Sequence, residues 1–217
     1  ERKSGFVGGA QDEAEGKRPS REFSRRMTGM VFGTIALAAF FFVAYSLDDV
    51  KDKGKRPLTF SFNGGPGSSS VWLHLGLLGP RRVVMGDAGK LLPPPYGLTD
   101  NESSLLDATD LVFIDPVSTG FSRPAKGEDK KQFHGYDEDV RSVGQFIHDY
   151  TTKYGRWGSP KFILGESYGG IRSAGVAYTL LTQYHVALNG VILVSPYLDF
   201  ASGNAGLGMN EPYVNFL

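Results

Sequence analysis

Lys161-Phe-Ile-Leu-Gly-Glu-Ser-Tyr-Gly-Gly170 reads as an apolar strand that runs straight into Gly165-Glu166-Ser167-Tyr168-Gly169. Ile171, Ala174, Tyr178 and Leu181 then recur at helical spacing. G-x-S-x-G alone is a weak signal in a glycine-rich chain. Between a strand and an amphipathic helix it takes on the character of a nucleophile elbow. The two glycines let the chain double back without Cβ clashes, and Ser167 Oγ is presented at the C-terminal edge of a sheet. The Tyr168 N–H, with the helix N-terminus behind it, points at a carbonyl attacked by that oxygen. The plainer alternative is a glycine-rich turn with an incidental serine.

Working outward, Pro57–Phe62 is a short buried strand that opens into Asn63-Gly-Gly-Pro-Gly67. A carbonyl can approach the N–H of Gly64 or Gly65 because no side chain blocks it, so this loop is the candidate second donor. A phosphate-binding loop requires a Lys that is missing here, and Gly203–Gly208 has the wrong spacing for a dinucleotide site. Val71–Leu78 is a short helix or turn, 86–104 a loop with Pro93–Pro95, and Leu111–Ile114 a strand ending in a loop over 115–122. Gly135–Tyr154 is a helix. Val140, Val143, Ile147, Tyr150 and Tyr154 form its apolar stripe, with Asp139, Arg141, Gln145 and Asp149 off it. Gly190–Ser195 is a further strand. The alternation from residue 57 onward predicts an α/β fold with a mostly parallel sheet flanked by helices.

Residues 1–29 read as a polar leader, and 30–217 as one unit. Met30–Tyr45 is an apolar run of 16 residues behind Arg25 and Arg26. It is short of the roughly 20 needed to span a bilayer. One or two buried strands are expected there rather than a membrane anchor.

Charge and composition narrow the function classes. The 23 basic and 23 acidic residues cancel, so no basic surface for nucleic acid is expected. The absence of cysteine excludes a thiolate nucleophile, a disulfide framework and a Cys-based zinc site. The four histidines form no H-x-x-x-H or H-E-x-x-H pattern, so neither a metal nor another cofactor is expected. His74 is read as a packing residue and His148 as a surface one. The 29 glycines and 12 prolines in 217 residues exceed the usual combined share of about 12%.

Four stretches in order, Phe62–Trp72, Leu78–Arg81, Asp110–Ser122 and Gly165–Gly169, resemble the serine carboxypeptidases, peptidase family S10 of the α/β-hydrolase fold. The likeness spans about residues 39–217 and is to the bacterial branch. It implies that Ser167 is the acylated nucleophile, and that Gly65 and Tyr168 N–H groups form the oxyanion hole. Asn63, Gly64 and Glu166 would bind a peptide substrate, with a protonated Glu166 donating to its C-terminal carboxylate. Asp115–Phe121 would line the cleft. Ser61 and Leu77 stand where eukaryotic members carry Trp and Glu, which removes part of the carboxylate-binding network.

In this fold the triad follows the chain order Ser, Asp, His. His185 lies only 18 residues after Ser167, at the far end of the elbow helix, and Asp199 is too early to match the family's acid. The catalytic Asp and His are therefore expected beyond Leu217, with the sheet cut after the strand that follows the elbow. The alternatives are an inert fragment or pseudoenzyme of this fold, and another, esterase-like α/β-hydrolase. A periplasmic or secreted location is expected over a cytoplasmic one.

Overall fold

The computed structural model describes residues 33–35 and 37–198. The leader, the start of the apolar run, Asp199 and Gly203–Gly208 lie outside the described residues.

Among the described residues the central sheet has five strands: β3 (Phe42–Tyr45), β4 (Leu58–Phe62), β7 (Asp110–Ile114), β9 (Lys161–Glu166) and β10 (Gly190–Val194). Their spatial order is β10-β9-β4-β7-β3. The pairs β10–β9, β9–β4 and β4–β7 are parallel, and β3 closes one edge antiparallel to β7. This is the mostly parallel sheet expected. Within the described residues it ends at β10, the strand after the elbow helix.

Period-two alternation explains why both faces are covered. Val112 and Ile114 of β7, with Phe60, Phe62 and Ile163, face one apolar cluster. Leu111, Phe113 and Leu164 face a second. Helices α2 (Tyr136–Lys153) and α3 (Gly169–Gln183) cover the first face through Val140, Val143, Phe146, Ile147, Val176 and Leu180. The second face is covered by α1 (Val71–Leu73), its π-helical continuation His74–Leu78, and a 3₁₀ turn at Leu105–Asp107. Helix α2 begins with Asp137, Glu138 and Asp139, which suit the positive end of its dipole, and Gly155 leaves its far end at φ +64.

The apolar run resolves into short strands: β1 (Gly33–Ile35), β2 (Ala38–Phe40) and then β3. Strands β1 and β2 form a small antiparallel sheet with β8 (Arg123–Pro124). Among the described residues no helix is long and apolar enough to cross a membrane.

Three readings need correction. The loop expected over 86–104 contains β6 (Leu98–Asp100), which pairs with β5 (Arg81–Val83). His148 is half-buried, because its ring stacks on Tyr184 at 4.9 Å and meets Trp157 edge-on. Asp139, off the apolar stripe by pattern, is buried because it pairs with a wholly buried arginine, Arg172.

Candidate active site

Ser167 stands between β9 and α3 with φ +58, in the left-handed region. That conformation costs an L-residue about 1–2 kcal/mol. Three backbone bonds hold it there. The Ser167 N–H donates to the Val194 carbonyl (3.0 Å), and the Ser167 carbonyl accepts from Gly170 (2.8 Å) and Tyr197 (2.9 Å). Gly165 is required just upstream, since a Cβ there would overlap the Gly169 carbonyl and the Ser173 hydroxyl.

The glycine loop lies directly against this elbow. A Cβ on Gly64 would sit 2.5 Å from the Tyr168 nitrogen and 2.7 Å from the Glu166 carbonyl oxygen. Asn63 is buried and bridges two elements. Its Nδ2 donates to Glu166 Oε2 (3.0 Å), and its Oδ1 accepts from the Leu73 N–H (3.1 Å). The Gly64 N–H also donates to Glu166 Oε2, at 3.3 Å. Gly65 follows with φ +110, a conformation that favours glycine.

Asn63, Gly65, Glu166 and Ser167 together line one cleft of ≈ 530 Å³. Trp72 and Leu77 add an apolar wall, and Trp72 is 67% exposed. Gly64 and Tyr168 are not among the lining residues, but they pack on each other; Gly64 adjoins Asn63 and Gly65 of the lining, and Tyr168 adjoins Ser167. The sequence reading thus placed six residues that the fold does bring together. Val194 and Ser195 also line the cleft and were missed. The signal was available, because the C-terminal ends of neighbouring parallel strands converge on one edge of the sheet.

Residues 115–121 are a correction. They are absent from the lining of this cleft. The Asp115 carboxylate turns inward and accepts the Ser70 N–H at 2.8 Å. Burial pushes its pKa up, against N–H donation from Ser70 and Phe121.

The histidines are engaged elsewhere. His74 Nε2 meets the Tyr45 hydroxyl at 2.7 Å, and its ring packs on Phe113 at 4.8 Å. Burial lowers its pKa to about 4. This is the packing role expected of it. His134 bonds Ser118 (2.9 Å) and His148 bonds Asp149 (2.9 Å). His185 lies in a separate hollow with Trp157 and Lys161, at the start of β9 rather than at its end.

A serine held in a left-handed elbow between a parallel strand and a helix, with a glycine loop packed on the next residue, defines an α/β-hydrolase. The particular family follows from comparison: the serine carboxypeptidase family model matches residues 26–212, and the chain belongs to that family. Pheromone-processing carboxypeptidase KEX1 of Saccharomyces cerevisiae is 37% identical over 138 residues, covering 60% of this chain and 18% of the yeast protein. Serine carboxypeptidase-like 36 of Arabidopsis thaliana is 30% identical over 167 residues, covering 75% of this chain and 33% of the plant protein. The crystal structure of KEX1(delta)p, a prohormone-processing carboxypeptidase from S. cerevisiae, superposes with a TM-score of 0.63 at 25% identity, covering 82% of this chain and 38% of that one. The chain therefore spans about a fifth to a third of the curated relatives it matches.

Proposed function

We propose that the full protein is a serine-type carboxypeptidase acting through an acyl-enzyme on Ser167. Ser167 Oγ attacks the carbonyl carbon of a peptide bond, and its proton passes to a base. The N–H groups of Gly65 and Tyr168 hold the oxyanion. The C–N bond then breaks, and the amine leaves with that proton. Water attacks the ester, releases the acid and restores the serine. Asn63, Gly64 and Glu166 receive the C-terminal carboxylate of the substrate. We place the catalytic Asp and His in the part of the protein that this chain does not span, given how much longer its relatives are. No metal or other cofactor has a part in this chemistry. We propose a secreted or periplasmic location, tested by fractionation.

The observation that carries this reading is the cleft that gathers Asn63, Gly65, Glu166 and Ser167. The test is labelling of the full-length protein with a fluorophosphonate. Wild type should be modified and Ser167→Ala should not; equal labelling of both overturns the proposal.

One observation favours a second reading, an esterase-like hydrolase. The wall beside Glu166 is apolar, made by Trp72 and Leu77. Turnover of a C-terminally amidated peptide as fast as its free acid would favour that reading over a carboxypeptidase.

A further inference from the structure

Arg172 is 0% exposed, and its fork reaches three partners. Nη1 donates to the Asn63 carbonyl at 2.7 Å, Nη2 to the Pro66 carbonyl at 3.4 Å, and Nε to Asp139 Oδ2 at 2.8 Å. Its guanidinium also lies over the rings of Phe62 (5.3 Å) and Tyr168 (5.1 Å). The Tyr168 hydroxyl in turn hydrogen-bonds Asp139.

The consequence lies in the peptide planes. The Asn63–Gly64 peptide has its C=O on Arg172 and its N–H on Glu166. The Gly64 carbonyl, in the plane that carries the Gly65 N–H, accepts from the Ser68 N–H at 3.1 Å, and the Pro66 carbonyl accepts from Arg172. Gly65 lies between these two fixed carbonyls, and as a glycine at φ +110 it has little conformational preference of its own. Arg172 thus holds the two ends of the Asn63–Pro66 segment, with the Ser68 N–H fixing the Gly64 carbonyl between them, and it stacks on the residue that carries the second donor.

We propose that Arg172, held by Asp139, is a positioning residue that sets the Gly65 and Tyr168 N–H groups against one oxyanion. This rests on the acyl-enzyme reading above. A lysine offers one compact ammonium in place of a fork and cannot bind two carbonyls and a carboxylate in the same geometry.

The test uses the full-length protein, with Arg172→Lys and Arg172→Met. Active sites are titrated with a fluorophosphonate, and kcat is expressed per titrated site. Loss of one oxyanion donor costs roughly 10²–10³-fold in kcat. Arg172→Met should lose about 10²-fold in kcat per site with KM within about threefold, and Arg172→Lys should recover about tenfold of it. Affinity for a boronate transition-state analogue should fall with kcat. A purely structural role would lower the number of titratable sites and leave kcat per site unchanged, and that result overturns the proposal. If Arg172→Met does not fold, Arg172→Lys with wild-type kcat per site overturns it equally. Wild-type protein that neither labels nor turns over peptide refutes the acyl-enzyme reading instead.

Discussion

Arg156 Nη1 and Asp110 Oδ2 meet at 2.7 Å, at the end of the sheet opposite Ser167. Arg56 Nε binds the other oxygen of the same carboxylate at 2.7 Å. The Asp110 side chain is 3% exposed, and those of Arg156 and Arg56 are 8% and 11%. Two guanidiniums thus share one carboxylate, and the carbonyls of Arg56 and Leu106 take further donors. Asp110→Asn strands two buried cations and should cost about 3–5 kcal/mol. Arg156→Met leaves the Arg56–Asp110 pair intact and should cost less. Denaturant titration of both variants checks the order, and the reverse order would refute it.

The left-handed backbone of Ser167 separates two inactive variants. Glycine relieves a strain of about 1–2 kcal/mol that alanine retains, and gives back roughly half of it through a freer unfolded chain. Ser167→Gly should therefore melt above Ser167→Ala. Calorimetry on the pair decides; a lower melting point for the glycine variant contradicts the elbow geometry.

Gly64 offers a steric test of the contact between loop and elbow. A methyl group there meets the Tyr168 nitrogen and the Glu166 carbonyl, both of them backbone and unable to rotate away. Gly64→Ala should lose about 1–3 kcal/mol, the usual cost of overpacking. The same change at Gly67, where a Cβ meets nothing within 4 Å, should be nearly silent. Equal losses at both positions would show that the contact does not form.

His74 makes stability fall in acid. Its folded pKa is lowered from 6.5 to about 4, so between these values the unfolded chain takes up a proton that the folded protein refuses. The contribution is intact above pH 6.5 and is lost as pH falls toward 4. His74→Gln keeps a hydrogen-bonding group for Tyr45 and does not titrate. Its melting point should fall less than that of wild type between pH 7 and 4, and parallel curves would exclude the effect.

Arg172→Met should show the opposite pH trend. Burial already raises the Asp139 pKa, and Arg172 is the main opposing influence. Removing the cation raises that pKa further. A carboxyl with a raised folded pKa destabilises above that pKa, and the penalty is relieved as the group protonates. The stability gap to wild type should therefore be widest at neutral pH and narrow as pH falls toward the ordinary carboxylate range. A gap independent of pH would mean that Asp139 does not carry the penalty.

The elbow and the glycine loop were legible because each rests on a local backbone demand. Only small residues fit at 64 and 165, so the chemistry leaves a mark in consecutive letters. The β5–β6 pair was not legible, since Leu98–Asp100 is short, largely exposed and flanked by prolines and glycine. The Arg172–Asp139 pair has no local signature at all. Each residue alone looks like an ordinary polar position on a helix, and 33 residues separate them. Burial of the pair is decided only when α2 and α3 pack together. Val194 and Ser195 could be found only from the topology, where the C-terminal ends of parallel strands meet at one edge of the sheet, and not from any run of adjacent residues.

The bond from the Ser167 amide to the Val194 carbonyl also fixes a chronology. The serine is synthesised well before residues 190–197, yet its strained backbone is tied to Val194 and Tyr197. Until that later strand docks beside β9, only the Gly170 bond of the three offsets the left-handed conformation, and the serine is freer to relax. Chemical competence thus arrives as a late event in folding, and a nascent chain halted before Val194 carries the whole G-x-S-x-G sequence without a set nucleophile.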